Sequence, residues 1–310
     1  MQAVLYFLKY LVFPGFVFSS VVGLLTTWVD RKVTARIHLR VGPPWYQPFA
    51  DTVKLLGKEV IVPADARYTG FLVAPIVGLA AATLASTILW LVNLEPTSSF
   101  VGDTIVTLYI MTIPAIALII GGSASGNPLG ALGSAREMKL LFAYELPLTI
   151  AVLTTIVKVG SFSFEKILMY QEYNGVMLGS VSGVLAFIVV IFCAQAKLGF
   201  LPFDIPEAET EIAGGTHIEY SGAPLAIVRL NTAIMYLVLP LFIITLFWGG
   251  VNFTGWRILT SILKYVAVVV IIVLIKNTNP RVRIDQAVRF FWGPMFALSA
   301  IAMILAVIGY

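Results

Sequence analysis

The sequence has 310 residues, of which 59% are hydrophobic and 12% charged, whereas soluble domains carry roughly a quarter charged residues. Lipid is the solvent that suits this composition. The net charge of +4 reads as membrane topology rather than nucleic-acid binding, because most Lys and Arg fall on one side of the apolar runs. One cysteine (Cys193, within an apolar run) and two histidines (His38 and His217, both in polar loops) exclude a disulfide framework, an iron–sulfur ligand set and haem ligation within the spans, so no cofactor is expected in this chain.

Apolar runs near the ~20 residues that cross a bilayer predict an all-α integral membrane protein, one domain over 1–310. Its spans are expected at 4–29, 69–92, 103–123, 138–159, 178–198, 224–248, 258–276 and 287–309. The first run is too long for the roughly 7–15-residue core of a signal peptide and is read as a retained span. Lys and Arg concentrate in the loops after spans 1, 3, 5 and 7, which marks that side as cytoplasmic in a plasma membrane and both termini as outside.

Taken in chain order, the first charged stretch holds Arg31, Lys32, Arg36, His38 and Arg40. Arg36 and Arg40 share a face if it is helical. Gln47 and Pro48 then open an amphipathic helix over about 47–60, with Phe49, Val53, Leu56 and Val60 at helical spacing. It reads equally as an interfacial anchor or a docking element. GGSASGNPLG (121–130) reads as a flexible loop. Glu145 lies within span 4 beside Pro147, and a carboxylate in the hydrocarbon region is costly and usually functional. The alternative is a structural pair with a nearby cation.

The loop between spans 5 and 6 is acid-rich, with Asp204, Glu207, Glu209, Glu211 and Glu219 and no Lys or Arg between Lys197 and Arg229. Crowded carboxylates repel, and partial burial raises their pKa values. Pro206 and Gly214-Gly215 bracket an expected helix, with Glu207 and Glu211 on one face. The plainer reading is a solvated face. The basic stretch around Arg36 and Arg40 is the expected counter-charge to this loop, or else topology alone. There is no P-loop, G-x-S-x-G, H-E-x-x-H or Rossmann fingerprint.

Four segments resemble one family. ARIHLRVGPPWYQPFADTVKLLGKE (35–59), SAREMKLLFAYELP (134–147), the 200–222 loop and PRVRIDQAVRFFW (280–292) are similar, in order, to the charged loops of the heel subunit of respiratory complex I. The resemblance implies a subunit that joins a peripheral electron-transfer arm to antiporter-like, ion-translocating membrane subunits. It assigns Glu145, Asp204, Glu207, Glu209, Glu211 and Glu219 to a proton or charge relay. It assigns Arg36, Arg40, Asp51, Lys54, Lys58, Glu59, Arg136, Arg281, Arg283 and Asp285 to charge pairing and docking of the arm.

Two departures bear on the branch. The loop after Gly42-Pro43 is shorter than in quinone-reducing members, so quinone binding is not carried over, and Asp30 stands where the family usually has Glu. The wording of 211–222 looks more like membrane-bound [NiFe]-hydrogenases and sulfane-sulfur reductases. That branch implies a ferredoxin-dependent hydrogenase that reduces protons to H2 and pumps ions, with the [NiFe] centre and iron–sulfur clusters in partner subunits: hydrogenase-type large and small subunits and a ferredoxin-like subunit. The alternatives are a sulfane-sulfur reductase, a quinone-binding subunit of an NADH:quinone oxidoreductase, a purely structural anchor, and, from another class, a stand-alone ion or solute transporter.

Overall fold

The computed structural model describes residues 2–253 and 255–309; Met1, Thr254 and Tyr310, which the expected 1–310 domain includes, lie outside them. The helices are α1 (Gln2–Leu11), α2 (Phe16–Ile37), α3 (Gln47–Leu56), α4 (Tyr68–Leu94), α5 (Asp103–Ile110), α6 (Ile113–Ala124) and α7 (Pro128–Val159), followed by α8 (Phe164–Asn174), α9 (Val181–Lys197), α10 (Glu209–Ile212), α11 (Gly222–Phe247), α12 (Arg257–Thr278), α13 (Ile284–Phe290) and α14 (Phe296–Ile308). Among the described residues there are seven stretches long and apolar enough to cross a membrane, and α9 is a shorter apolar helix. The chain is a multi-pass helical membrane protein.

Several expected bounds shift for identifiable reasons. The first span does not run unbroken from 4 to 29. It is interrupted between Leu11 and Phe16, where Pro14 lacks an N–H to continue the ladder. A Cβ on Gly15 would lie 1.7 Å from the Tyr10 carbonyl oxygen, so the chain closes tightly there. The helix then continues past Val29 to Ile37, because Asp30 is buried against a cation from α12 rather than ending the span. The third span is two helices, broken at Met111 and Thr112 just before Pro114. The fourth starts ten residues before Met138, at Pro128, where the Asn127 side chain accepts from the Leu129 N–H at 2.8 Å and caps it. Its 32 residues reach roughly 48 Å at 1.5 Å each. That exceeds a hydrocarbon core of ~30 Å, so one end projects from the membrane. The last span is α13 and α14 joined through a π-helical turn, Phe291–Met295, that contains Pro294. The amphipathic helix ends at Leu56, short of residue 60.

The segment 121–130 is not a flexible loop. Gly121 and Gly122 lie in α6, and only residues 125–127 separate α6 from α7. A Cβ on Gly121 would sit 2.0 Å from Tyr220 Oη, so the missing side chain lets the 198–221 loop pack against the bundle.

Helix α11 is the centre of the molecule. It packs on α2, α4, α9 and α12, and from Ala233 to Phe247 every residue is buried. The alternation of helices places the loops 38–67, 125–127, 198–221 and 279–283 on one face. Backbone contacts confirm the grouping: Arg67 N–H donates to Ala124 O at 2.8 Å and Val282 N–H to Pro202 O at 3.0 Å. The loops 95–102, 160–180 and 248–256 gather at the opposite face, where Thr104 N–H donates to Phe162 O at 3.3 Å.

Candidate functional site

The acidic loop 198–221 is mostly irregular. Its expected helix from Pro206 to Gly214 shrinks to the single turn α10, because Ala213 and Gly214 take positive φ values of 52° and 93° and end it. Glu207 precedes α10 and does not share a helix face with Glu211. The loop's carboxylates instead face different partners. Arg281 Nη2 donates to Asp204 Oδ2 at 2.5 Å, and Arg281 Nη1 donates to Thr210 Oγ1 at 3.2 Å. Arg136 Nη1 reaches Glu211 Oε2 at 2.6 Å. Asn127 Nδ2 donates to Glu219 Oε1 at 2.6 Å. His217 Nδ1 lies 3.5 Å from Glu207 Oε1. Glu209 is exposed on the rim. Tyr220 anchors the loop by stacking on Phe71 with ring centroids 4.3 Å apart and donating to Phe71 O at 3.0 Å.

These partners divide the acids electrostatically. Burial pushes Asp204 above the ordinary carboxylate range, against the opposing hydrogen bond from Arg281. The Arg136 hydrogen bond holds Glu211 below it. Burial acts to raise Glu207, but the adjacent His217 more than reverses this and leaves the carboxyl below its ordinary value. For His217, burial acts to lower the imidazole, and the Glu207 carboxylate more than reverses that, so it holds its proton to higher pH than usual. The expected counter-charges Arg36 and Arg40 are exposed and lie outside these pairs; α2 ends at Ile37, so the two do not share a helix face. The cations that do serve the loop, Arg136 and Arg281, come from α7 and from the link before α13, which the fold brings beneath it.

Inward from the loop lies a small cavity of 40 Å³ lined by Glu137, Lys197, Gly199, Glu207 and Asn231. Glu137 on α7 is 7% exposed. Lys197, the last residue of α9, has a side chain 1% exposed. Its Nζ lies 3.3 Å from Glu145 Oε2 and donates to Thr112 Oγ1 at 3.2 Å, while Thr112 Oγ1 donates to Glu145 Oε1 at 3.1 Å. The break between α5 and α6 is what presents Thr112 to this pair. Ionisable side chains thus succeed one another from Glu207 and His217 at the loop, through Glu137, to Lys197 and Glu145 in the bundle.

Sequence reading singles out Glu145 and Glu207 but not Glu137, nor the pairing roles of Lys197 and His217. A signal for Glu137 exists: it falls on the buried stripe of α7 with Gly133, Leu140, Tyr144, Leu148 and Ala151, where a carboxylate is out of place.

A second cavity of 420 Å³ opens beside the loop, between α2, α3 and α11. Asp30, Asp51, Glu207, Glu209, His217 and Arg229 are among its walls. Asp30 is buried and pairs with Lys276 Nζ at 2.7 Å. Asp51 accepts from Arg31 at 2.9 Å and Gln47 at 3.0 Å, and the Arg31 hydrogen bond lowers it. Lys54, Lys58 and Glu59 are exposed at the end of α3. Arg283 and Asp285 line a third cavity of 210 Å³ with Arg136, Glu211 and Arg281.

Apolar helices with ionisable groups paired in their interior and charged loops gathered on one face define a multi-pass membrane protein, and comparison with known proteins makes its class specific. The family described as NADH dehydrogenase matches residues 9–307, and the chain belongs to that family. It is similar to an NADH-quinone oxidoreductase subunit from Thermomicrobium roseum, at 34% identity over 92% of this chain and 91% of that one. It is also similar to an NADH-quinone oxidoreductase subunit from Thermus thermophilus, at 33% identity over 90% of this chain and 81% of that one. Among solved structures, a chain of the membrane-bound sulfane sulfur reductase, an archaeal respiratory membrane complex, superposes with a TM-score of 0.85 at 31% identity, covering 94% of this chain and 96% of that one. The chain is a membrane subunit of a complex I-like respiratory complex.

Proposed function

We propose that this chain couples electron transfer in a peripheral arm to ion movement in antiporter-like membrane subunits, within a ferredoxin-dependent, complex I-like [NiFe]-hydrogenase of the plasma membrane. In this reading the acidic loop faces the cytoplasm and the arm, and both termini lie outside. The hydrogenase-type large and small subunits and a ferredoxin-like subunit carry the [NiFe] centre and the iron–sulfur clusters. The exposed charges Arg36, Arg40, Lys54, Lys58, Glu59, Arg283 and Asp285 dock the arm.

The observation that carries the reading is the succession from Glu207 and His217 through Glu137 to Lys197 and Glu145. Ionisable residues inside a membrane are expensive and usually mark a proton or ion path. A proton taken up at the His217–Glu207 pair passes to Glu137 across the 40 Å³ cavity and on toward Lys197 and Glu145. Asp204, Glu209, Glu211 and Glu219 set the negative charge at the entrance.

The likeness to the sulfane sulfur reductase chain favours a second reading, the same coupling role with sulfur rather than protons as terminal acceptor. The curated relatives are quinone oxidoreductase subunits, but the shorter loop after Gly42-Pro43 is the reason a quinone role is not carried over to this chain. The decisive experiment is Glu145→Gln in the assembled complex. Electron transfer retained with ion movement lost supports coupling. Both unchanged would reduce the chain to an anchor, and specific transport by the purified chain alone would make it a transporter.

A further inference from the structure

Two buried polar groups that no protein atom satisfies stand in the wall of the 40 Å³ cavity. The Glu137 carboxyl has no hydrogen-bond or ion-pair partner among the described residues, although the residue is 7% exposed. Asn231, on α11 and 4% exposed, has its side-chain Oδ1 buried without a partner. Lys197 lines the same cavity, and its Nζ uses two of three donors on Glu145 and Thr112, which leaves one. Buried polar groups are almost always bonded, and one left bare bears its full desolvation cost. Their convergence on one cavity marks a site for a small polar molecule.

The size and chemistry of the wall select water. A water needs about 10–15 Å³ and two to four polar partners, so the cavity has room for about three and for little else. The Lys197 ammonium opposes a cation, and the carboxyls of Glu137 and Glu207 oppose an anion. A neutral molecule that both donates and accepts suits all of them. The Asn231 amide offers it a donor or an acceptor, since the group turns end for end about its last bond. Glu207 and Thr232 stand in the walls of both this cavity and the 420 Å³ one. The two cavities adjoin there, which gives water a way in.

We propose that Asn231 is a positioning residue: it orients a bound water between the His217–Glu207 pair and Glu137. The inference rests on the relay reading above and adds the carrier that the relay needs at this step. A proton leaving the pair adds to the water while another leaves the water for a Glu137 carboxylate oxygen. The water is unchanged, and one proton has crossed.

The test combines a cryo-electron-microscopy map of the assembled complex, at a resolution that shows ordered water, with the number of ions moved per electron in vesicles. Wild type should show water bonded to Asn231 and Glu137. Asn231→Leu, close to Asn in volume but apolar, should lose that density and most of the ions moved per electron. Asn231→Ser, which keeps a donor and an acceptor, should retain most of both. Ala115→Val narrows the cavity from α6, leaves every polar group in place, and should also lower the ratio; it keeps the test open if Asn231→Leu does not assemble. A dry cavity in wild type would overturn the proposal, and so would an unchanged ratio in Asn231→Leu or, where that variant does not assemble, in Ala115→Val. Glu137→Gln separates the two readings: a lowered ratio there beside a normal one in Asn231→Leu removes only the positioned water, whereas a normal ratio in Glu137→Gln removes the relay and the water with it.

Discussion

Lys197 Nζ lies 3.3 Å from Glu145 Oε2, and the lysine side chain is almost wholly buried. The two come from different helices, α9 and α7, and meet where a third helix is broken at Thr112, whose hydroxyl bonds to both. Removing one member of a buried ion pair costs more than removing both, because the survivor keeps its desolvation penalty without its counter-charge.

Glu145→Ala should therefore destabilise the chain by about 3–5 kcal/mol. The double variant Glu145→Gln with Lys197→Met should recover most of that loss. Thermal unfolding in detergent micelles measures both; equal melting temperatures for single and double variants would show that the pair is not coupled.

The His217–Glu207 pair sets a pH window. His217 is raised in the fold, so its contribution is fully present below its unfolded value of about 6.5 and is lost as pH rises through the raised value. Glu207 is lowered, so its contribution is present above the ordinary carboxylate value and is lost as pH falls through the lowered one. Stability from the pair should be greatest on the mildly acidic side of neutrality. His217→Gln should flatten the decline toward alkaline pH in a series of melting curves, while His217→Lys should keep the pairing and move the decline upward.

Charge reversal should follow the observed pairs. Arg281→Glu should impair coupled ion movement, and Asp204→Arg in the same chain should partly restore it, since Arg281 is the cation that meets Asp204. Arg36→Glu should gain nothing from reversal of any acid in the loop. Ion uptake by vesicles holding the assembled complex separates these outcomes.

Gly121→Ala tests the seating of the acidic loop. The new methyl would overlap Tyr220 Oη at 2.0 Å and displace the ring from Phe71. Overpacking of this kind costs about 1–3 kcal/mol. The same variant should expose the 198–221 loop to protease, and Tyr220→Phe in the Gly121→Ala background should relieve part of the effect.

Different parts of the site were legible to different degrees. Glu145 stood out because an acid in an apolar run is visible without knowing the fold. Glu137 is more deeply buried than Glu145 but sits between Arg136, Met138 and Lys139, so its neighbours in the chain disguise it as part of a polar loop. Asp30 looked like the end of a span, and only its contact with Lys276, from a helix more than two hundred residues away, explains why α2 continues. The acidic loop was recognised, but its helix was overestimated: Pro206 and Gly214-Gly215 mark boundaries without requiring a helix between them.

The sequence alone determined that the chain spans a membrane through about eight apolar helices, that its charges gather on one face, and to which family its loop motifs are similar. Hydropathy and motif wording are properties of consecutive residues and survive without a fold. The tertiary structure decided which charges meet: Arg281 and Arg136 rather than Arg36 and Arg40 beside the loop acids, and Lys197 beside Glu145. Pairing energies fall steeply with separation and with exposure to water, so they depend on helix order and packing at the scale of a few ångströms, which chain position does not encode.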